Sequence, residues 1–324
     1  MASCRLSIVI VCYKNPQLTL RCIRSIASFA PHSEHEIICV DNGSADGIEE
    51  HIAKDFPSIR FFQIGYNSGF SKATNLGIKE SRGEYIMLLN NDTIITELVF
   101  DQLTDFMSAH PDTGAIGPRH ADGRGRFQVS YGKFPTIFSE IERKIIQFRI
   151  LCGDPTIDRY FNEFCYQERK VDWLSGSCLL LRRDALCQTG LLDESLFMYY
   201  EDVDICKRII QKGWSIYYFP KTSIVHYLGG SAKENESVSL FEHSRSQLCF
   251  AKKYYGKIGE TIIRAFLFLR FSIAGCRNIV KFCVMKMFGK EAQAVYAHIA
   301  LSFKIVTMAL LSKAAESVEP VLNA

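Results

Sequence analysis

Glu84-Tyr-Ile-Met-Leu-Leu-Asn-Asn-Asp92 runs an apolar strand straight into a lone carboxylate, and about 110 residues later Phe197-Met-Tyr-Tyr-Glu-Asp-Val-Asp204 forms a second acidic knot. A carboxylate at the mouth of a buried strand suits a divalent cation and the diphosphate it neutralises, because hard oxygens bind hard metals. A second, separate carboxylate can then stay available as a proton acceptor. Each has a plainer reading as well. Asp92 could cap a following helix. Glu201 and Asp202 open a helical pattern, where acids are favoured by the dipole, and Asp204 stands four residues before Arg208, the spacing of a helical ion pair. Phe197, Met198, Tyr199 and Tyr200 place the acids of this knot against an apolar wall. Such a wall raises a carboxylate's pKa and makes it a better base.

Regular elements must position these groups. Leu6–Cys12 is a short β-branched apolar run, the pattern of a strand buried on both faces. Asn15-Pro16 opens a segment with helical spacing (Leu18, Leu20, Ile23, Ile26, Ala27), Pro16 fitting a first helical turn. Strands follow over 36–41, 60–64 and 84–89, with a helix carrying Ala73, Leu76 and Ile78 between the last two. This alternation predicts an open α/β sheet with ligands at the carboxyl ends of its strands, where Asp41 and Asp92 both fall. Residues 114–170 lose the pattern and read as a loop region with one helix over about 139–150. It returns with a strand over 173–181, a helix over 201–212, and short extended pieces at 215–219 and 223–226. Beyond 240 the chain reads as helical to about 313.

Asp41 ends the second strand, either as an Asx-type turn closing it or as an acceptor for the imide N–H of a pyrimidine base. Asn67, Lys72 and Asn75 lie at a strand-to-helix junction, where backbone N–H groups favour phosphate and ordinary capping is the alternative. His226 follows an extended segment and precedes Gly229-Gly230; a structural histidine and a neutral imidazole ligand both fit. Lys233 could add charge to a loop closing there. Trp173 offers an aromatic face to a sugar, with Gly176 beside it.

Seven pieces occur in order: Ser7-Ile-Val-Ile-Val-Cys-Tyr-Lys-Asn15, Val40-Asp-Asn-Gly-Ser44, Asn67-Ser-Gly-Phe-Ser-Lys-Ala-Thr-Asn75, Leu89-Asn-Asn-Asp92, Gly190-Leu-Leu-Asp-Glu194, Glu201-Asp202 and His226-Tyr-Leu-Gly-Gly-Ser231. Over residues 5–232 the chain resembles a family 2 glycosyltransferase, closest to the rhamnosyltransferase-like branch. The resemblance implies a GT-A fold, a Rossmann-like mixed α/β sheet flanked by helices, here with a C-terminal helical extension. It implies a catalytic domain over 1–238, with a nucleotide-binding half (about 1–112) and an acceptor-binding half (about 113–238). It further implies a dTDP- or UDP-sugar donor, a saccharide acceptor, a divalent cation (Mn or Mg) and inversion at the anomeric carbon. Asp202 would be the general base, Asp92 and His226 the metal ligands, and Asp41, Asn67, Lys72, Asn90, Asn91 and Asp92 the donor contacts. Trp173, Gly176, Asp193, Glu194 and Glu201 would face the acceptor. The family often has Asp-x-Asp where this chain has Asn90-Asn91-Asp92, one charge fewer for the metal. The Gln-x-x-Arg-Trp motif of processive relatives is missing, which implies single-sugar addition.

A nucleotidyltransferase would place a glycine- and basic-rich loop after the first strand, where this chain has Tyr13-Lys-Asn-Pro-Gln17. A non-catalytic sugar-nucleotide-binding or scaffold subunit is the other alternative, one that the intact Glu201-Asp202 and His226 oppose.

The twelve scattered cysteines show no metal or disulfide spacing, and the expectation is a reducing, cytoplasmic setting, without signal peptide or spanning helix. The net charge is +3, yet residues 246–313 hold eleven Lys/Arg against Glu260 and Glu291, a +9 tail that leaves −6 for the rest. Its cations alternate with Phe266, Phe268, Phe271, Phe282 and other apolar residues. That pattern is a poor one for nucleic acid. It fits a helix lying on anionic lipid at the inner membrane's cytoplasmic face, and equally a cap on the catalytic domain or a homo-oligomer interface.

Overall fold

A computed structural model describes residues 4–136, 139, 145–146, 148–149, 152–156, 165–227, 236–288 and 292–311. Gly229, Gly230, Ser231 and Lys233 lie outside the described residues, as does most of the helix expected over 139–150. Two compact units divide the chain: Met1–Glu194 with Glu201–Ser231, and Ser195–Tyr200 with Ala232–Ala324.

The first unit is built on β1 (Leu6–Cys12), whose seven residues are all buried between two parallel neighbours, β2 (His35–Asp41) and β4 (Tyr85–Asn90). β3 (Arg60–Gln63) extends the parallel set beyond β2. Side-chain alternation along β1 divides its apolar residues between the two faces of the sheet. Leu6, Ile8, Ile10 and Cys12 enter one core with Leu20, Ile23 and Ile26 of α1 (Pro16–Ser28) and Val99, Phe100 and Leu103 of α4 (Val99–Ala109). On the other face Val9 joins Ile78 of α3 (Phe70–Glu80), while Val11 packs with Ala73 of the same helix. A short helix α2 (Ile48–Asp55) lies between β2 and β3.

Past β4 the sheet becomes mixed. The strand order is β3-β2-β1-β4-β11-β6-β12-β5, with β5 (Thr93–Ile95), β6 (Thr113–Ala121), β11 (Cys178–Arg182) and β12 (Ser215–His226). β11 runs antiparallel to both β4 and β6. β7 (Phe127–Gln128) and β9 (Arg169–Lys170) pair on β6 and β12, and β8 (Tyr131–Gly132) with β10 (Trp173–Leu174) makes a separate ribbon. α5 (Arg183–Thr189) and α6 (Glu201–Gln211) complete the unit.

Three expectations need correction. Residues 113–121 form a nearly fully buried strand rather than a loop. Its small residues conceal it: Gly114 lies under Ile209 and Trp214, Gly117 under Leu174, and neither position has room for a larger side chain. Pro118, which brings no N–H to a ladder, sits where the β6–β12 register shifts between Phe219 and Ser223. That irregularity also joins the two expected extended pieces into one strand, β12. Finally, Asp92 caps no helix: β5 follows it, and α4 begins only at Val99.

In the second unit α7 (Glu236–Met287) is broken at Gly256, whose φ of 61° and ψ of −157° leave helical space. α8 (Gln293–Leu310) runs back along it as an antiparallel hairpin. Gly275 abuts Ser302, Phe282 lies near Tyr296, and the Arg264 guanidinium donates to the carbonyls of Met308 and Ala309 at the α8 carboxyl end. By length and composition α8 is apolar enough to cross a membrane, and about a third of it is buried. The segment Ser195–Tyr200 belongs to this unit: Ser246 Oγ donates to the Met198 carbonyl, and the Tyr200 ring packs on His243 and Phe250. Tyr199 and Tyr200 hold φ values of 69° and 66°, a strained state for a bulky residue.

Candidate active site

Strand register brings Asp92 and His226 together. His226 pairs with Thr93 across the β5–β12 ladder, and the Tyr227 N–H donates to the Asp92 carbonyl at 2.9 Å. Both side chains are buried, with His226 Nε2 3.2 Å from Asp92 Oδ1. His226 Nδ1 meets Gln128 Oε1 at 2.7 Å, which turns Nε2 toward the carboxylate. An imidazole nitrogen and a carboxylate oxygen held this close are ligand types that a divalent ion takes, so the pair suits one. Among the described residues no group of three or more His, Cys, Asp or Glu could hold a metal. Behind the pair, His120 contacts the His226 ring edge-on, and its Nδ1 meets Ser177 Oγ at 3.2 Å. Burial, with help from His226, pushes the His120 pKa well down and keeps that ring neutral.

Asn90 and Asn91 lead into Asp92. Asn91 Nδ2 donates to Thr19 Oγ1, tying the motif to α1. Asn90 Oδ1 is buried and has no hydrogen-bond partner among the described residues. A buried amide oxygen left so is costly unless a ligand or water donates to it.

At the β2 end, buried Asp41 accepts the Ser44 N–H at 3.1 and 3.2 Å, so it does close an Asx turn. Gly43 makes this turn possible: its φ is +83°, and a Cβ there would sit 2.5 Å from the Tyr66 backbone. Asn42 locks the neighbouring loop, accepting the Ser68 N–H and donating to Asn67 Oδ1, which in turn accepts the Gly69 N–H. Asn67 is thus committed to shaping the loop that enters α3. Lys72 is exposed and donates to the Tyr66 hydroxyl at 2.9 Å.

Asp202 stands in the first turn of α6. Its Oδ2 accepts the Gly176 N–H at 3.0 Å and its Oδ1 the Val203 N–H at 2.8 Å. Gly176 therefore touches Asp202 itself. Glu201 is buried, its Oε2 has no partner among the described residues, and burial, reinforced by Asp202 and Asp204, pushes its pKa well up. Asp204, fully buried one turn on, holds Arg208 at 2.8 Å, the expected i,i+4 pair. That guanidinium also donates to the carbonyls of Thr189, Gly190 and Leu191.

The next residues are gripped by α3: the Asn75 amide accepts the Leu192 N–H and donates to both the Leu192 carbonyl and Glu194 Oε1. Asp193 is half-buried beside it. Trp173 lies on the β8–β10 ribbon, stacked over Gly132, its indole N–H donating to the Lys133 carbonyl. Sequence reading missed Gln128 and His120. Neither lies in a recognisable motif: the β6–β7 pairing sets His120 opposite Gln128, and the β6–β12 pairing brings both to His226.

Comparisons with known proteins agree on this architecture. The model of "Glycosyl transferase family 2" matches residues 7–188. The N-acetylglucosaminyl-diphospho-decaprenol L-rhamnosyltransferase of Mycobacterium tuberculosis is 31% identical over 241 residues, covering 70% of this chain and 78% of that protein. Rhamnosyltransferase WbbL of Escherichia coli is 25% identical over 204 residues, covering 60% and 74%. Among solved structures, the mannosyltransferase PcManGT of Pyrobaculum calidifontis, in complex with GDP-Man and Mn2+, superposes with a TM-score of 0.52 at 14% identity, covering 98% of this chain and 76% of that one. GalNAc-T7, with UDP, GalNAc and Mn2+, gives 0.54 at 15%; the match covers 79% of this chain and about half (52%) of that one. These two likenesses establish the GT-A fold. A GT-A sheet, the ordered motifs and the family match together make this chain a member of glycosyl transferase family 2, in its rhamnosyltransferase-like branch.

Proposed function

We propose that this glycosyltransferase is inverting and metal-dependent, and that it moves one sugar, rhamnose from dTDP-rhamnose, to a saccharide hydroxyl in cell-surface polysaccharide or glycolipid synthesis. The observation that carries the reading is the Asp92–His226 pair, two buried side chains 3.2 Å apart with the imidazole held by Gln128 at its other nitrogen. Asp92 and His226 would hold Mn or Mg, leaving positions open to diphosphate oxygens and water. A bound cation would supply charge to stabilise the leaving diphosphate. Asn90 Oδ1 is available to a donor hydroxyl or a bound water. Asp41 would accept from the base imide, and Asn67 and Asn91 would shape the nucleotide site; Lys72 would add a mobile charge at its rim.

Asp202 would take the acceptor hydroxyl's proton as that oxygen attacks the anomeric carbon from the face opposite the diphosphate. Its two backbone N–H contacts fix the direction of the carboxylate, and a proton kept on Glu201 spares it a second like charge alongside. Trp173, Asp193 and Glu194 would then face the acceptor, for which a lipid-linked saccharide is our choice, since the mycobacterial relative is named for a diphospho-decaprenol substrate. In this reading residues 1–112 serve the donor and 113–238 the acceptor, at the cytoplasmic side of the membrane.

Purified protein given a panel of dTDP-, UDP- and GDP-sugars with Mn or Mg should release nucleoside diphosphate from one donor. EDTA and Asp92→Ala should both abolish release, and the product's anomeric configuration, read by NMR with an acceptor present, should be inverted. Retention at that carbon, or release indifferent to EDTA, would contradict the mechanism. No release, together with no nucleotide binding by calorimetry, would favour a non-catalytic scaffold.

A further inference from the structure

The second unit leaves a long apolar stripe uncovered. Beyond Gly256, helix α7 buries Ile263, Leu267, Phe271 and Gly275 on the side that faces α8. On the opposite side Ile258, Ile262, Leu269, Ile273, Val280 and Met287 are exposed, several by more than 60%. Their spacing of four or seven residues keeps them on one face for about 43 Å of helix. Cys276 and Cys283, both exposed, fall on the same stripe. Soluble proteins rarely expose a continuous apolar surface of this length without something to cover it.

Charge identifies the occupant. At helical spacing Lys257 and Lys286 fall along one border of the stripe, and Arg270, Arg277 and Lys281 along the other. Residues 257–311 contain only two acids, and Glu260 is taken up by Arg264 at 2.7 Å. A second copy docking stripe to stripe would bring cationic borders together without acids to match. A helix crossing the bilayer would carry Arg270, Arg277 and Lys281 into hydrocarbon. Lying in the plane of an anionic surface, the same helix sinks its stripe among acyl chains while both cationic borders meet headgroups.

The geometry points to an anionic lipid bilayer as the partner of this face, with α7 beyond Gly256 lying in the interface plane. The inference rests on the second unit alone and stands whatever donor the enzyme uses. Vesicle co-sedimentation of the full chain, without nucleotide, tests it. Partition onto phosphatidylcholine–phosphatidylglycerol vesicles should exceed that onto pure phosphatidylcholine by at least about tenfold and fall as salt is raised. Leu269→Glu with Val280→Glu should lower binding to both vesicle types by about tenfold or more, with an unchanged circular-dichroism melt, because both side chains are exposed. Arg270→Gln with Arg277→Gln and Lys281→Gln should remove the preference for anionic lipid and spare the weak neutral binding. Equal partition onto both lipids would overturn the inference. So would a homodimer that L269E/V280E dissociates without any vesicle binding, or association that survives both high salt and alkaline carbonate, the mark of a spanning helix.

Discussion

At Asp92 the surroundings are strands: β5, β12, β6 and β7 each fix one side chain by register, and the result is a buried carboxylate and imidazole 3.2 Å apart. At Asp202 the surroundings are the first turn of a helix and one loop amide, and burial pushes the pKa of the neighbouring acid, Glu201, well up. Ladder hydrogen bonds hold the first arrangement, so its geometry scarcely depends on any one side chain. In the second, two adjacent carboxyls influence each other's charge. A metal site tolerates fixed negative charge, whereas a base must be able to gain and lose a proton.

Substitutions at each end break the comparison most sharply. Asp202→Asn should lower transfer by roughly 10²–10⁴-fold while dTDP-sugar affinity, measured by calorimetry, stays unchanged. Equal loss of both would mean that Asp202 binds donor. Gln128→Leu frees the His226 tautomer and should weaken Mn affinity by about 10–100-fold, with activity recovering at high Mn; a deficit that no metal concentration repairs would assign Gln128 a different role. Asn75→Ala strands the Leu192 backbone groups and should cost about 1–3 kcal/mol in urea unfolding, with the acceptor KM raised more than the donor KM.

The smallest effect is a pH slope. The folded-state pKa of Glu201 lies above its unfolded value, so its contribution to stability is complete below the ordinary glutamate range and is lost as pH rises through the higher folded value. Glu201→Gln should flatten the fall in melting temperature above about pH 5. A slope identical to that of the parent protein would remove Glu201 from the account.

The parallel half of the sheet was legible because β1, β2 and β4 are continuous apolar runs that end in polar residues, and Asp41 and Asp92 stand at or just beyond those ends. α6 was legible from its acids and the Asp204–Arg208 spacing. β6 was not, because Gly114, Gly117 and Pro118 carry no strand signal, and its place is set by β11 and β12 on either side. The support of His226 stayed hidden for a related reason: Gln128 and His120 acquire meaning only through pairing between segments distant in sequence. Motifs report the groups that do chemistry, but the groups that orient them come from tertiary register.

The antiparallel insertion of β11 beside β4 also bears on how the chain is made. Synthesis delivers β4 some ninety residues before the strand that covers its second edge, so an emerging chain carries Tyr85-Ile-Met-Leu-Leu89 as a bare, uncharged edge. An edge of that composition pairs readily with another chain. The Asp92–His226 pair itself cannot assemble until His226 has been synthesised. Slow synthesis between residues 90 and 178 should therefore favour aggregation over folding. Truncations ending short of β11 should be insoluble, even though they retain Asp41, Asn67 and Asp92.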